Sequence, residues 1–217
     1  MHAFTELTTA SYCPRKLYYR RRHGDFEPPD DIAPKRNLAY RYEELLNPET
    51  DLSAEPIEPT PAEYRSNLEG AKARLDRWGE LLSPSKTRVF LEGKDARGIV
   101  HKLLSEPAVP VIVSPGKPPE QGVWEPHSVW ATAAAKALSW ERTRPVEYAY
   151  LEYPTYGVIR RVRMTTRRNA TYRKALRTAA SIDGPPPRLR NDSRCKSCEY
   201  RGECGTKTRS LRSRLSL

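Results

Sequence analysis

The sequence predicts an α/β protein with a central mixed sheet flanked by helices, and a cysteine-clasped lobe built from both termini. Three observations lead there. Short apolar runs bounded by Gly, Asp or Pro follow one another in the middle of the chain. Segments with apolar residues three and four apart stand before, between and after them. The chain has four cysteines, one near its start and three near its end.

Taken in order, TASYCPRKLYYRRRHG combines a possible helix with a basic run (Arg15, Lys16, Arg20, Arg21, Arg22) interleaved with Tyr12, Tyr18 and Tyr19. PPDDIAPKR is a break rich in proline and acid, LAYRYEELL a short helical piece, and residues 47–61 an exposed loop without periodicity. From Pro61, the residues Leu68, Ala71, Leu75, Trp78 and Leu82 fall on one face of a single amphipathic helix. RVFLEG (88–93), GIVHKLL (98–104) and VPVIVS (109–114) follow as strands. The Ala-rich stretch 128–141 is a helix with one apolar face. Residues 146–154 and 158–164 form a hairpin around Thr155–Gly157. A basic helix over 168–182 stops at DGPPPR. No internal repeat is visible. All 217 residues are assigned to one domain, with 1–24 and 190–217 as its lobe.

Lys and Arg number 38 against 27 Asp and Glu, a net charge of +11. Such a surface suits a polyanion. No apolar run is long enough to span a membrane and no signal pattern opens the chain, so a cytoplasmic location without a membrane partner is expected. The mean hydropathy of −0.77 agrees. In a reducing compartment, clustered cysteines point to a metal centre rather than to disulfides. C-x2-C-x5-C at Cys195, Cys198 and Cys204 can wrap three thiolates around one centre, and Cys13 is the one cysteine left to complete it. Spacing alone suits zinc and an iron–sulfur cluster equally.

The YCPRKLYY segment, the C-terminal cysteine knuckle and the α-β-β-β-α-β order between them resemble the fourth family of CRISPR-associated proteins. These are RecB-like exonucleases of the P-D-(D/E)-x-K nuclease superfamily. The resemblance implies that superfamily's core, a [4Fe–4S] cluster at Cys13, Cys195, Cys198 and Cys204, and the proteins of CRISPR spacer acquisition as partners in antiviral defence. It also implies a Mg²⁺ or Mn²⁺ site of His, Asp, Glu, Lys and Gln. The corresponding positions here carry Tyr42 (or Tyr40), His101, Ile112, Ser114 and Trp130. A hard cation needs oxygen ligands, and Ile112 offers none. Nuclease chemistry is therefore expected to be lost.

The surviving role would be binding DNA, single strands or ends, through phosphate contacts with little sequence preference. Arg20, Arg21, Arg160, Arg161, Arg167, Arg168, Arg209 and Arg212 are the candidate contacts, with Tyr18, Tyr19 and Tyr172 as candidate stacking groups. Two alternatives stand beside this reading. One is an active single-strand exonuclease with ligands displaced to Glu92, Asp95, Glu106, Glu120 or Glu125. The other is a zinc-stabilised regulatory protein.

Overall fold

Alternation of apolar residues between turn signals produces one mixed sheet of six strands, seen in a computed structural model that describes residues 1–24, 29–189 and 192–205. The strands are β1 (His2–Ala3), β2 (Lys86–Glu92), β3 (Ala96–Leu104), β4 (Val109–Val113), β5 (Tyr148–Tyr153) and β6 (Val158–Arg163). β3 runs antiparallel to β2 and β4, β4 parallel to β5, and β5 antiparallel to β6. Strands β4 and β5 are buried along their whole length, as expected of central strands covered on both faces. The parallel step needs a crossover, and α7 (Glu125–Arg142) supplies it.

Helices cover both sides. On one side α1 (Phe4–Tyr12), α7 and α8 (Thr166–Ala180) pack over Leu103, Ile112, Leu151 and Val162. On the other, α4 (Tyr42–Leu46), α5 (Pro61–Arg74) and α6 (Trp78–Leu82) pack over Leu104, Val111, Tyr150 and Ile159. α3 (Ile32–Asn37) lies within the segment expected to be an irregular break. α2 (Pro14–His23) and α9 (Asp192–Lys196) belong to the terminal lobe.

Three local expectations are corrected. The chain from Pro61 is two helices, because Leu75 turns extended (φ −101°, ψ 111°). The break lets Trp78 stack on Tyr42 at 5.9 Å and Arg77 donate to the carbonyls of Ser105 and Pro107. Tertiary contacts there outweigh the helical periodicity. The N-terminal segment is also two helices, parted at an extended Cys13, since a residue preceding proline is pushed out of the helical region. The third correction is β1, a two-residue strand pairing with Ala96 and Arg97 that no periodicity announces.

Gly98 marks the closest approach of α1 to the sheet. A Cβ there would lie 2.6 Å from the ring of the buried Phe4. Gly98→Ala is expected to lower stability by about 1–3 kcal/mol through overpacking. A thermal melt indistinguishable from wild type would show that α1 yields.

Candidate functional site

The positions aligned with nuclease ligands are distributed over both faces of the sheet. His101 lies on β3 just past the last pair of the β3–β4 ladder, Lys102–Val111, and Ile112 lies on β4. The Val113 amide donates to His101 Nδ1 at 3.0 Å, and the imidazole tilts against Trp130 at 5.6 Å. His101 and Trp130 therefore meet. Tyr40 joins them, donating its hydroxyl to the His101 carbonyl at 3.0 Å. Ile112 is sealed in the core. Tyr42 lies across the sheet, buried in the other core. Among the described residues no three His, Cys, Asp or Glu side chains are disposed to hold a metal ion. Glu92, Asp95, Glu106, Glu120 and Glu125, the alternative ligands, are all exposed.

Sequence reasoning missed the strongest electrostatic feature. Lys102 and Glu152 are fully buried and paired, Nζ lying 3.0 Å from each carboxylate oxygen. Nζ also donates to the carbonyls of Ala39 (2.6 Å) and Leu81 (2.7 Å), and the Tyr42 hydroxyl donates to Glu152 at 3.2 Å. Every partner of Nζ is an acceptor. Burial raises the Glu152 carboxyl above its usual range, against the pull of Lys102. A lysine and a carboxylate are nuclease-type chemistry, but no phosphate reaches groups with no exposed surface. The signal was present: both charges sit at inward positions of otherwise apolar strands, in VHKLL and YLEYP.

Ser114, at the end of β4, lies 3.3 Å from His127 Nε2, and His127 Nδ1 lies 3.0 Å from the Tyr153 hydroxyl. The trio looks like a nucleophile with its base, and its wiring depends on the His127 tautomer. With the Tyr153 hydroxyl donating to Nδ1, the imidazole proton would sit on Nε2 and leave no lone pair there to take the serine proton. The relay ties β4, α7 and β5 together.

Both imidazoles are neutral in the fold. Burial first, then Arg36, Lys102 and Arg88, push His101 down to about 3, and burial pushes His127 down to about 4. The unfolded chain takes up these protons near pH 6.5 while the folded chain does not. Stability is thus whole above about pH 6.5 and declines toward pH 4. Urea unfolding across that range should show the decline, and His101→Gln should flatten it. An unchanged slope in that variant would count against a neutral His101.

The terminal lobe brings the two ends of the chain together. Arg194 donates to the Tyr12 carbonyl at 2.8 Å and Arg15 to that of Pro186 at 2.7 Å. Lys16 pairs with Glu199 at 2.8 Å, and the Tyr19 and Tyr200 rings stack at 5.6 Å. Cys13, Cys195, Cys198 and Cys204 are free thiols that line one cavity of about 220 Å³, with Arg15, Lys16, Arg188, Arg194 and Arg201 around it. The four thiols do not draw together around a point, as a single tetrahedral ion requires.

No family model matches this sequence, and no curated protein does either.

The candidate DNA contacts separate into anchored and open groups. Arg21 donates to Glu6 and the Ala179 carbonyl, Arg160 to the carbonyls of Pro119 and Glu120, and Arg168 to Ser128 and the Arg163 carbonyl. Arg161 lies 3.7 Å over the Tyr148 ring. Arg20 donates to Thr9 and lines a cleft of about 730 Å³ with Lys16, Arg194 and His127. Arg167 is exposed on the first turn of α8. Arg209 and Arg212 lie outside the described residues. Tyr19 and Tyr172 are buried, so the stacking role expected of them is corrected: their faces are taken by the protein. Among the described residues no helix is long and apolar enough to cross a membrane.

Proposed function

We propose that this chain is a non-cleaving DNA-binding protein of nuclease-like architecture, resembling the iron–sulfur exonucleases of CRISPR spacer acquisition. The observation that carries it is the contact of His101 with Trp130, with the apolar Ile112 on the neighbouring strand, where a two-metal or one-metal nuclease would gather carboxylates. The order α6-β2-β3-β4-α7-β5, with β4 parallel to β5, supports the architecture. The cleft of Lys16, Arg20 and Arg194 supports a polyanionic partner. It opens next to the thiol-lined cavity, and Tyr12, Lys16 and Arg194 border both. Cys13, Cys195, Cys198 and Cys204 would hold the [4Fe–4S] cluster. The cluster would cross-link the termini and shape the floor of that cleft.

The test is direct. Full-length protein purified without oxygen should bind labelled single strands and duplex ends in EDTA, with affinity falling steeply as salt rises. It should leave them intact in Mg²⁺ or Mn²⁺. Digestion that disappears in Glu92→Gln or Glu106→Gln would replace this reading with a displaced-ligand nuclease. One zinc per chain and no iron would replace the cluster with a structural ion.

A further inference from the structure

Beside His101 lies a pocket of about 600 Å³, within the size range of small-molecule sites. It is bounded by the start of α1, by α3, and by β2 and β3. Its apolar wall is left open: Phe90, Ile99 and Tyr40 keep 54%, 47% and 36% of their surfaces exposed. Large flat side chains grouped in this way mark a contact surface.

The polar part of the pocket has one character. No acid lines it, whereas Arg36 and Arg88 do, and neither has an ion pair among the described residues. Arg36 Nε and Trp130 Nε1 are buried donors without a hydrogen-bond partner among the described residues. Two orphaned donors in one cavity are a cost that a native site offsets with an acceptor. His101 accepts the Val113 amide on Nδ1, so its own proton is on Nε2, one more donor. Arg88 is further held at φ +52°, a left-handed conformation unusual for arginine. The site thus offers donors and positive charge on one side and a flat apolar wall on the other.

We infer that this pocket is a metal-free binding site for a nucleoside monophosphate, its base against Phe90, Ile99 and Tyr40 and its phosphate on Arg36 and Arg88. Trp130 Nε1–H and Arg36 Nε–H supply hydrogen bonds to acceptors of the base, sugar or phosphate. Guanidinium groups suit phosphate oxygens because they present paired donors in a plane. The inference shares His101 and Trp130 with the non-cleaving reading, whereas the binding of long strands rests on the separate cleft at Lys16, Arg20 and Arg194. The same chemistry has two sources, a free nucleotide or the end of an unpaired strand.

Calorimetric titrations of the full chain in EDTA separate these outcomes. Deoxyadenosine monophosphate should bind, and deoxyadenosine or inorganic phosphate should each bind at least about tenfold more weakly. Arg36→Ala/Arg88→Ala should weaken the nucleotide by about tenfold or more, and Trp130→Phe by a few-fold, with circular dichroism melts unchanged for the arginine variant. Competition by a 5′-phosphorylated oligonucleotide would assign the site to strand ends. Failure to compete would assign it to free nucleotide. No binding at millimolar nucleotide, full affinity in the double arginine variant, loss of binding in EDTA, or equal affinity for benzoate would each overturn the inference. Retained long-strand binding in any of those cases would leave the DNA-binding reading in place.

Discussion

Replacing Lys102 with Met will destabilise the protein by about 3–5 kcal/mol, the range for a buried ion pair that loses one partner. The loss is not that of a favourable contact alone. Glu152 has no exposed surface, and without Lys102 its one remaining side-chain donor among the described residues is the Tyr42 hydroxyl. The carbonyls of Ala39 and Leu81 lose their shared donor as well. Two further results follow from the same geometry. Lys102→Met/Glu152→Leu should recover most of the loss, since an apolar pair of similar volume strands no charge. The cost of Lys102→Met should also shrink in acid. In that variant the Glu152 carboxyl titrates higher folded than unfolded, so it favours folding below the unfolded value and ceases to as pH rises through the folded one. Urea unfolding of the three variants near pH 7 and pH 5 measures all of this. Strict additivity of the two single substitutions would mean that the groups do not act as a pair.

The same residues show what the sequence disclosed and what it hid. Val109–Val113 was legible as a strand because burial on both faces favours an apolar run between turn signals, and Tyr148–Tyr153 because its alternation continued across a turn into the next strand. The Ala-rich crossover was legible because its small residues let α7 lie close to the sheet, near enough that a Cβ on Gly93 would fall 2.7 Å from Ala137 Cα. Lys102 and Glu152 are 50 residues apart in sequence and become partners only through the β3-β4-β5 pairing. One-dimensional pattern carries no such pairing. The break at Leu75 was hidden for the same reason: what holds it is Tyr42 under Trp78 and two carbonyls beneath Arg77, none local. At the site, the identities of His101, Ile112, Ser114 and Trp130 could be read residue by residue. The pocket beside them could not, because Arg36, Arg88 and Trp130 come from three separate elements.

Cys13→Ala, in protein purified without oxygen, is expected to abolish bound iron and to cost several kcal/mol, as much as Cys198→Ala and no less than both together. The physical basis is closure. Tyr12 and Arg194 are 182 positions apart, and holding such distant segments together removes much chain freedom. Two devices are available to hold them. One is polar: the Arg194–Tyr12 and Arg15–Pro186 hydrogen bonds, the Lys16–Glu199 pair and the Tyr19–Tyr200 stack. Partly exposed contacts of this kind contribute modestly, about 1 kcal/mol or less for the ion pair. The other is the proposed cluster, a centre that would bind all four thiols and be lost whole when one is removed. The two devices predict opposite patterns. If the polar contacts close the lobe alone, Cys13→Ala changes the melt little and Arg194→Ala changes it more. If a shared centre closes it, Arg194→Ala is the milder variant, the cysteine variants are equal and non-additive, and chelation of the wild type reproduces them. Additive cysteine losses, or iron retained in Cys13→Ala, would show that the first thiol is no part of the site.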